Sequence, residues 1–599
     1  MPITSVDISY GLFDVTAKPD ITSISYNQKA VFADINDLKL ESVTPPKAAT
    51  LEQDYWKLDG SFDLFPDHPE NTTWGFWNYR LSYAESTTES GHEYYLFTIT
   101  PYFYIVFRDA HESSGISLEF NPYDNTYAAK LRIRWYDGDT LLADEYFYPD
   151  NWRYTCSKKV SGFNKIIVDF IGMNKPYRYL KVQNIGFGEY ITFPPEAVMS
   201  ADILEEADIS STELAINELS FSVFSKDGNF NVFNPDGVYD LLQKKQKIMV
   251  DGYKAELQNG IIASQTFYEF GHFYVDTWDT QEKTVSITAM DALGIMDTTY
   301  FDGGMYTNAT VLSLVDAVLT DAGFGYSVDD NIGAKTLTGW IPRCTHREAL
   351  QQIAFAAGAW VDTSRGGMVT VRGDSRQALS ILGRNRKFQG STASLKEYVT
   401  EVDLTAHQYT VGAEAKEVFR GELPEGLSEV VFSAPAYMVW VDVEESTGTV
   451  ENPHGLEGIN CTVLNVLTAG TIVLKARPYE DNTTIVRVRV PEIEPGEQEG
   501  VVEITDATLI CTDHIVTRRQ NGQDVYIPVA GNAEAIAQRL LDYYQMRIEL
   551  ELSFVLAEEV PGGSVNVEVL KDVWREGVVT RLETDLTGGF VTKGVILSE

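Results

Sequence analysis

The chain has 599 residues, 47 of them Lys or Arg and 87 Asp or Glu, for a net charge of −40 at pH 7. Affinity for duplex nucleic acid rests on cations that displace condensed counterions, so a chain this acidic is excluded as an electrostatic DNA binder. With 44% apolar residues the length predicts several domains with cores of their own, and no apolar run reaches the ~18 to 20 residues of a membrane-spanning helix.

The opening MPITSVDISYGLF lacks the basic region and apolar stretch of a signal peptide, so no secretion signal is expected. Short segments rich in Val, Ile, Tyr, Phe and Thr, broken by Gly, Asp and Asn, run through most of the sequence and predict a mainly β, multidomain protein. The first change of character begins at Pro45-Pro46 and ends ahead of Pro194-Pro195. It predicts an inserted β-sandwich over 45–190, carried in a surface loop of a β-barrel made from 1–44 and 191–299. Such an insertion is tolerated because loop-closure entropy grows slowly with length. Inside it, Leu131, Ile133 and Trp135 alternate with Arg132, Arg134 and Tyr136, which puts one set on a core face and the other in water. The aromatic cluster Trp74, Phe76, Trp77, Tyr79 and Tyr83, with Asn121, Asp124 and Asn125 in a polar turn, suits either of two purposes. Aromatic faces beside a few polar groups make a shallow sugar site, and the same residues also make the core of a small sandwich.

Farther along, Ala309 to Ala322 predicts a helix with Val311, Leu312, Val315, Val318 and Leu319 on its apolar stripe and Gly323 as its stop. Thr345 to Glu348 has the spacing of a capping box and opens a second helix that ends near Gly358. With the strand-like GMVTVR these helices predict a small α/β domain over 300–375, its core formed by Val311, Val315, Leu319, Leu350, Ile353 and Ala354. Residues 376–530 read as a second β-rich barrel region. It includes an acidic stretch of Glu492, Glu494, Glu497, Glu499 and Glu503 around Pro491 and Pro495, read as a solvated loop. The segment 531–599 reads as a helix capped by Asn532, with Ile536, Leu540 and Tyr543 on one face, followed by closing strands.

Signals for catalysis are missing from this pattern. The eight histidines never pair as HxxxH or HExxH, and the four cysteines, Cys156, Cys344, Cys461 and Cys511, are far apart and read as reduced structural thiols. There is no GxSxG elbow, no GxxxxGK[ST] loop and no GxGxxG between a strand and a helix. A glycosidase needs only two carboxylates, and among 87 no pair stands out. The expectation is a protein that is not an enzyme, with no catalytic residues, no metal and no cofactor.

Two stretches resemble a known family. VSITAMDALGI from Val285 to Ile295, followed by IPRCTHREALQQIAFAAGAWVDTSRGGMVTVR from Ile341 to Arg372, is similar to the hub proteins of bacteriophage tail tips and baseplates. The shared pattern is a strand ending in D-x-L/A, a short helical unit, and a T-x-x-E-A-L helix leading into a hairpin. The C-terminal AEAIAQRLLDYYQ, PGGSVNVEV and GVVTRLETDLTGGFVTKG resemble the same family, and the insert, with FNPYDNTYAAKLRIRWYDGDTLL, resembles galactose-binding-like jelly rolls. The resemblance implies a homotrimeric ring of tube-forming β-barrel domains, two per subunit, at the tip of a virion tail assembled in the host cytoplasm. The ring would close the tail tube, touch the distal tail or tube protein and the tape-measure protein, anchor fibre, spike or receptor-binding proteins, and open for genome ejection. Unlike some relatives, the chain shows no lysozyme or peptidase extension, so wall digestion is expected from a separate protein. Two other functions stay open: a carbohydrate-binding adhesin that takes a host surface glycan through residues 45–190, and a tail-associated cell-wall hydrolase. A tube that passes DNA as transient cargo gains from an acidic lumen. Candidate lumen residues are Asp276, Asp279, Glu282, Glu401, Asp403, Glu503 and Asp506, with Glu401 and Asp403 on one strand face.

Overall fold

The computed structural model describes residues 2–26 and 82–599, apart from short breaks of which the longest are 121–124, 374–377, 491–500, 511–515 and 528–532. The chain is mainly β and divides into two compact units, one of residues 1–201 with 220–289 and one of 202–219 with 290–599.

The first unit holds two sheets. In one, the order is Gly188–Phe193, Pro2–Phe13, Lys247–Gln258, Ile261–Thr280, Thr284–Met290 and Glu218–Phe224. Alternation builds it: Ile8, Tyr10, Ile248 and Val250 are buried while Ser9, Lys247, Met249 and Asp251 face outward. The second sheet has eight strands, dominated by Tyr102–Glu119 and Arg153–Met173, which pair antiparallel with register shifts after Val106, His111 and Ser113. Such shifts bend long strands around a core, here Phe103, Phe120, Trp135, Phe163 and Phe170. Leu131, Ile133 and Trp135 belong to that core, as their alternation requires. The same sheet takes in Ile21–Tyr26, which pairs with Tyr102–Glu119 and so lies in the sheet although it precedes residue 45.

In the second unit, helices Val311–Ala322 and His346–Ala357 pack with the parallel pair Tyr326–Val328 and Val369–Arg372 around one apolar cluster. Val311, Val315, Leu319, Leu350, Ile353 and Ala354 are all fully enclosed in it. Both helices are capped at each end. Thr310 Oγ1 accepts from the Ser313 amide (3.2 Å), the Thr345–Glu348 capping box closes in both directions, and Gly323 and Gly358 end the helices at φ of 81° and 62°. The apolar stripe of the first helix needs one correction. Leu312 points to solvent, 48% exposed, and Leu314 is buried instead, because the 3.6-residue turn places positions 311, 314, 315, 318 and 319 on one face.

Asp291 explains the D-x-L element. It follows the strand Thr284–Met290 and caps the helix Ala292–Met296, accepting from the Gly294 amide (3.2 Å), the Asn217 amide (3.1 Å) and Thr363 Oγ1 (2.5 Å). One carboxylate thus ties a helix end to two segments more than 70 residues distant in sequence.

Beyond residue 376, the strands Glu401–Val411, Gly470–Arg489 and Val501–Ala507 form a sheet covered by helix Ala533–Gln545 through Val402, Leu404, Ile536 and Leu540. The Asn532 cap lies outside the described residues. Ser564–Leu570, Val573–Asp585, Val591–Ser598 and Ile548–Val555 follow one another in an antiparallel run of strands. Ala378–Leu382 and Thr392–Leu395 add to it as edge strands.

Candidate functional site

A cleft of about 530 Å³ opens within the first unit. Its floor is aromatic. Phe13 meets Tyr190 edge to face with ring centroids 4.8 Å apart. That ring sits in a notch between Gly11 and Gly186, where a Cβ on either glycine would lie 2.5 Å from it. Glycine at both positions is what lets the ring lie flat against the backbone.

One wall comes from the eight-stranded sheet. Antiparallel register sets Arg153, Glu119 and Asn184 side by side on three neighbouring strands. Arg153 pairs with Glu119 at 3.0 Å and stacks over the rings of Trp152 and Tyr190, at 4.9 and 5.5 Å, so its guanidinium is held in one place. Lys18 Nζ donates to Asn184 Oδ1 at 3.0 Å and closes that end. Asp14, at the same rim, accepts from the Thr16 amide (2.9 Å) and lies 2.7 Å from His111, whose other ring nitrogen is 3.0 Å from Asp20.

The opposite wall is the outward face of the other sheet. Asp7, Asp251 and Glu269 stand opposite one another on adjacent strands, a row of three carboxylates. Like charges in that position repel, and burial together with Glu269 and Asp7 pushes the Asp251 carboxyl above its ordinary value, while Arg153 opposes the shift. A register shift after Val250 inserts Phe270 as an extra residue and turns Glu269 and Phe267 toward the cleft mouth. Phe267 is 53% exposed and lies 5.3 Å from the Tyr253 ring. Behind them His272 is pushed down to about 3 by burial, with Lys247 and Arg153 adding to the effect, and so is a neutral imidazole. Its Nδ1 has no hydrogen-bond partner among the described residues.

The residues singled out from sequence lie elsewhere. Trp74, Phe76, Trp77, Tyr79, Asn121 and Asp124 fall outside the described residues. Asn125 is exposed in a turn at φ 51°, its carbonyl accepting from Asn174 Nδ2 at 2.8 Å, and Tyr83 is 48% exposed. Glu401 and Asp403 share a strand face, and both are paired: Arg487 bonds Asp403 at 2.6 Å and Glu401 at 2.9 Å, and Arg489 also pairs with Glu401. The two carboxylates and two guanidinium groups carry no net charge together. The strand Val501–Ala507 runs parallel to that strand with Asp403 opposite Glu503, while the side chains of Glu503 and Asp506 are outside the described residues, as are Glu492, Glu494, Glu497, Glu499 and Cys511. Asp276 pairs with Lys244 at 3.0 Å, and Asp279 and Glu282 are exposed at the end of a hairpin.

Cys156, Cys344 and Cys461 are free thiols, and burial pushes each of them up. Cys461 lies beside Asp302 and Glu429, a donor set with metal-like spacing, but Arg343 forms ion pairs with both carboxylates, at 3.3 and 2.8 Å, and already neutralises them. The cleft residues escape sequence reasoning because they come from seven strands, a short helix and the loops between them. The register that brings Arg153 to Asp251 is set by pairing between distant strands, which no local pattern announces.

No protein-family model matches the chain, and no curated protein matches it. Solved structures do. A 43 kDa tail protein of prophage MuSo2 from Shewanella oneidensis is 12% identical with a TM-score of 0.36, the match covering 68% of this chain and 94% of that one. The tail protein from Neisseria meningitidis MC58 is 11% identical with a TM-score of 0.37, again over 68% and 94%. Prophage tail protein gp18 from Listeria monocytogenes EGD-e is 11% identical with a TM-score of 0.33, over 67% and 94%. The chain is thus similar, over two thirds of its length, to tail proteins from three bacterial genera.

Proposed function

We propose that the chain is a structural hub protein of a phage tail tip or baseplate. It forms a trimeric ring that closes the tail tube, anchors fibre or spike proteins, and opens for DNA ejection. The observation that carries this reading is the order of elements around Asp291. A strand ends on the carboxylate that caps the next helix, a capping-box helix follows at Thr345, and that helix leads into the hairpin Trp360–Asp362 and Val369–Arg372. The quoted motif residues are therefore the ones that hold this domain together, and they occur in the order the hub resemblance calls for.

In this reading the chain works by assembly and carries no catalytic machinery. Apolar burial and strand pairing between copies hold the ring, with interfaces of about 2,000 Å² or more as obligate oligomers require. Asp279 and Glu282, exposed and without ion pairs among the described residues, are the acidic candidates best suited to repel DNA from a lumen wall. Residues 45–190 serve as the module that meets host or fibre. Light scattering and negative-stain microscopy of the purified chain test the proposal. The expected particle is a ring with three times the 67.0 kDa mass of one chain. A monomer that persists at high concentration refutes it.

A further inference from the structure

We propose that the cleft of the first unit is a saccharide site that takes a neutral sugar, held by Asp251, Glu269 and Arg153 and packed against Phe267. This site lies on the outward face of the Lys247–Gln258 and Ile261–Thr280 strands, involves none of the Trp74 cluster residues among its lining, and the inference is independent of the tail-hub reading.

The lining selects the ligand by elimination. The lining mixes four carboxylates, Asp14, Glu119, Asp251 and Glu269, with the cations Lys18, Arg153 and Lys247, so an ion of either sign meets like charge. An apolar molecule would strip water from all of these groups and return no hydrogen bonds, which costs several kcal/mol for each charged group stranded. A polyol meets none of these penalties. Each hydroxyl both donates and accepts, so adjacent hydroxyls can donate to a carboxylate of the Asp251–Glu269 row while another accepts from the guanidinium of Arg153. Hydrogen bonds with one charged partner are the stronger kind.

The apolar parts fit the same ligand. A pyranose has one face of C–H groups, and the exposed ring of Phe267, braced by Tyr253 at 5.3 Å, gives that face a flat partner. At the floor, Phe13 and Tyr190 are held by the glycine notch and by Arg153, so the surface is formed before any ligand arrives. Preorganisation of this kind removes the ordering cost of binding. The volume of about 530 Å³ falls within the ~300 to 1,000 Å³ of small-ligand pockets and suits a short oligosaccharide.

The test uses the full chain with three probe sets in titration calorimetry and saturation-transfer NMR. The neutral probes are lactose, maltotriose, mannotriose and N,N′,N″-triacetylchitotriose, the anionic probe is 3′-sialyllactose, and the cationic probe is the unacetylated glucosamine trimer. A neutral probe is expected to bind, and Glu269→Gln and Phe267→Ala are each expected to weaken it about ten- to a hundredfold, the loss of one charged acceptor or one aromatic face. Both side chains are exposed, so the variants' unfolding curves should match that of the parent. The proposal is overturned if no neutral probe binds at millimolar concentration, or if only charged probes bind. It is equally overturned if binding survives both cleft substitutions and disappears with Trp77→Ala.

Discussion

Asp291 offers the sharpest test of how the second unit is held together. Its carboxylate is buried and accepts hydrogen bonds from Gly294, Asn217 and Thr363. Burial outweighs those bonds and pushes the carboxyl from its ordinary 3.8 up to about 6. A folded value above the unfolded one means that the folded state holds the proton more tightly, so this group's contribution is fully present below pH 3.8 and is lost as pH rises through 6. Between pH 4 and pH 7 the loss amounts to about 2 kcal/mol. Asp291→Asn cannot titrate, and it presents an amide donor where one of the three donors now finds an acceptor, at a further pH-independent cost of about 1 to 3 kcal/mol. Urea unfolding of parent and variant, followed by tryptophan fluorescence at pH 4 and pH 7, isolates the linkage as a difference of differences. The variant should be the more handicapped at pH 4, by about 2 kcal/mol relative to pH 7. An equal handicap at both values would show that Asp291 titrates as an exposed carboxylate does, and would refute the account of it as a buried tie between three segments.

Two further outcomes are expected. Leu350→Ala should cost about 2 to 5 kcal/mol because the site is sealed in the α/β cluster, whereas Leu312→Ala on the solvent side of the neighbouring helix should fall within about 0.5 kcal/mol in the same denaturation assay. Arg386 bonds the fully buried Glu559 through two oxygens, both at 2.7 Å. Arg386→Met strands that charge and should lower stability by about 3 to 5 kcal/mol, while the double variant with Glu559→Leu should recover most of the loss in thermal unfolding.

Much of the architecture was legible in the residues themselves. The helices at 311–322 and 346–357 could be placed because the Thr345–Glu348 pair, Gly323 and Gly358 act through hydrogen bonds and backbone sterics confined to one helical turn. The core face of Leu131, Ile133 and Trp135 was legible for a similar reason, since successive side chains on a strand point to opposite sides whatever the strand pairs with. Leu312 shows where this ends: a plausible apolar position lost its place to Leu314 through the phase of a single turn. The proposed sugar cleft, the Asp291 tie and the Glu401–Arg489 pair lie beyond that reach. Their partners are separated by tens to hundreds of residues, and they meet only because strand registers and one inserted residue at Phe270 bring them opposite one another. Local sterics and periodicity belong to the sequence alone. Register is decided by the burial of whole sheets, and a shift of one residue would turn every side chain of a strand to the other face, so which charges and rings share a site was settled only by the tertiary structure.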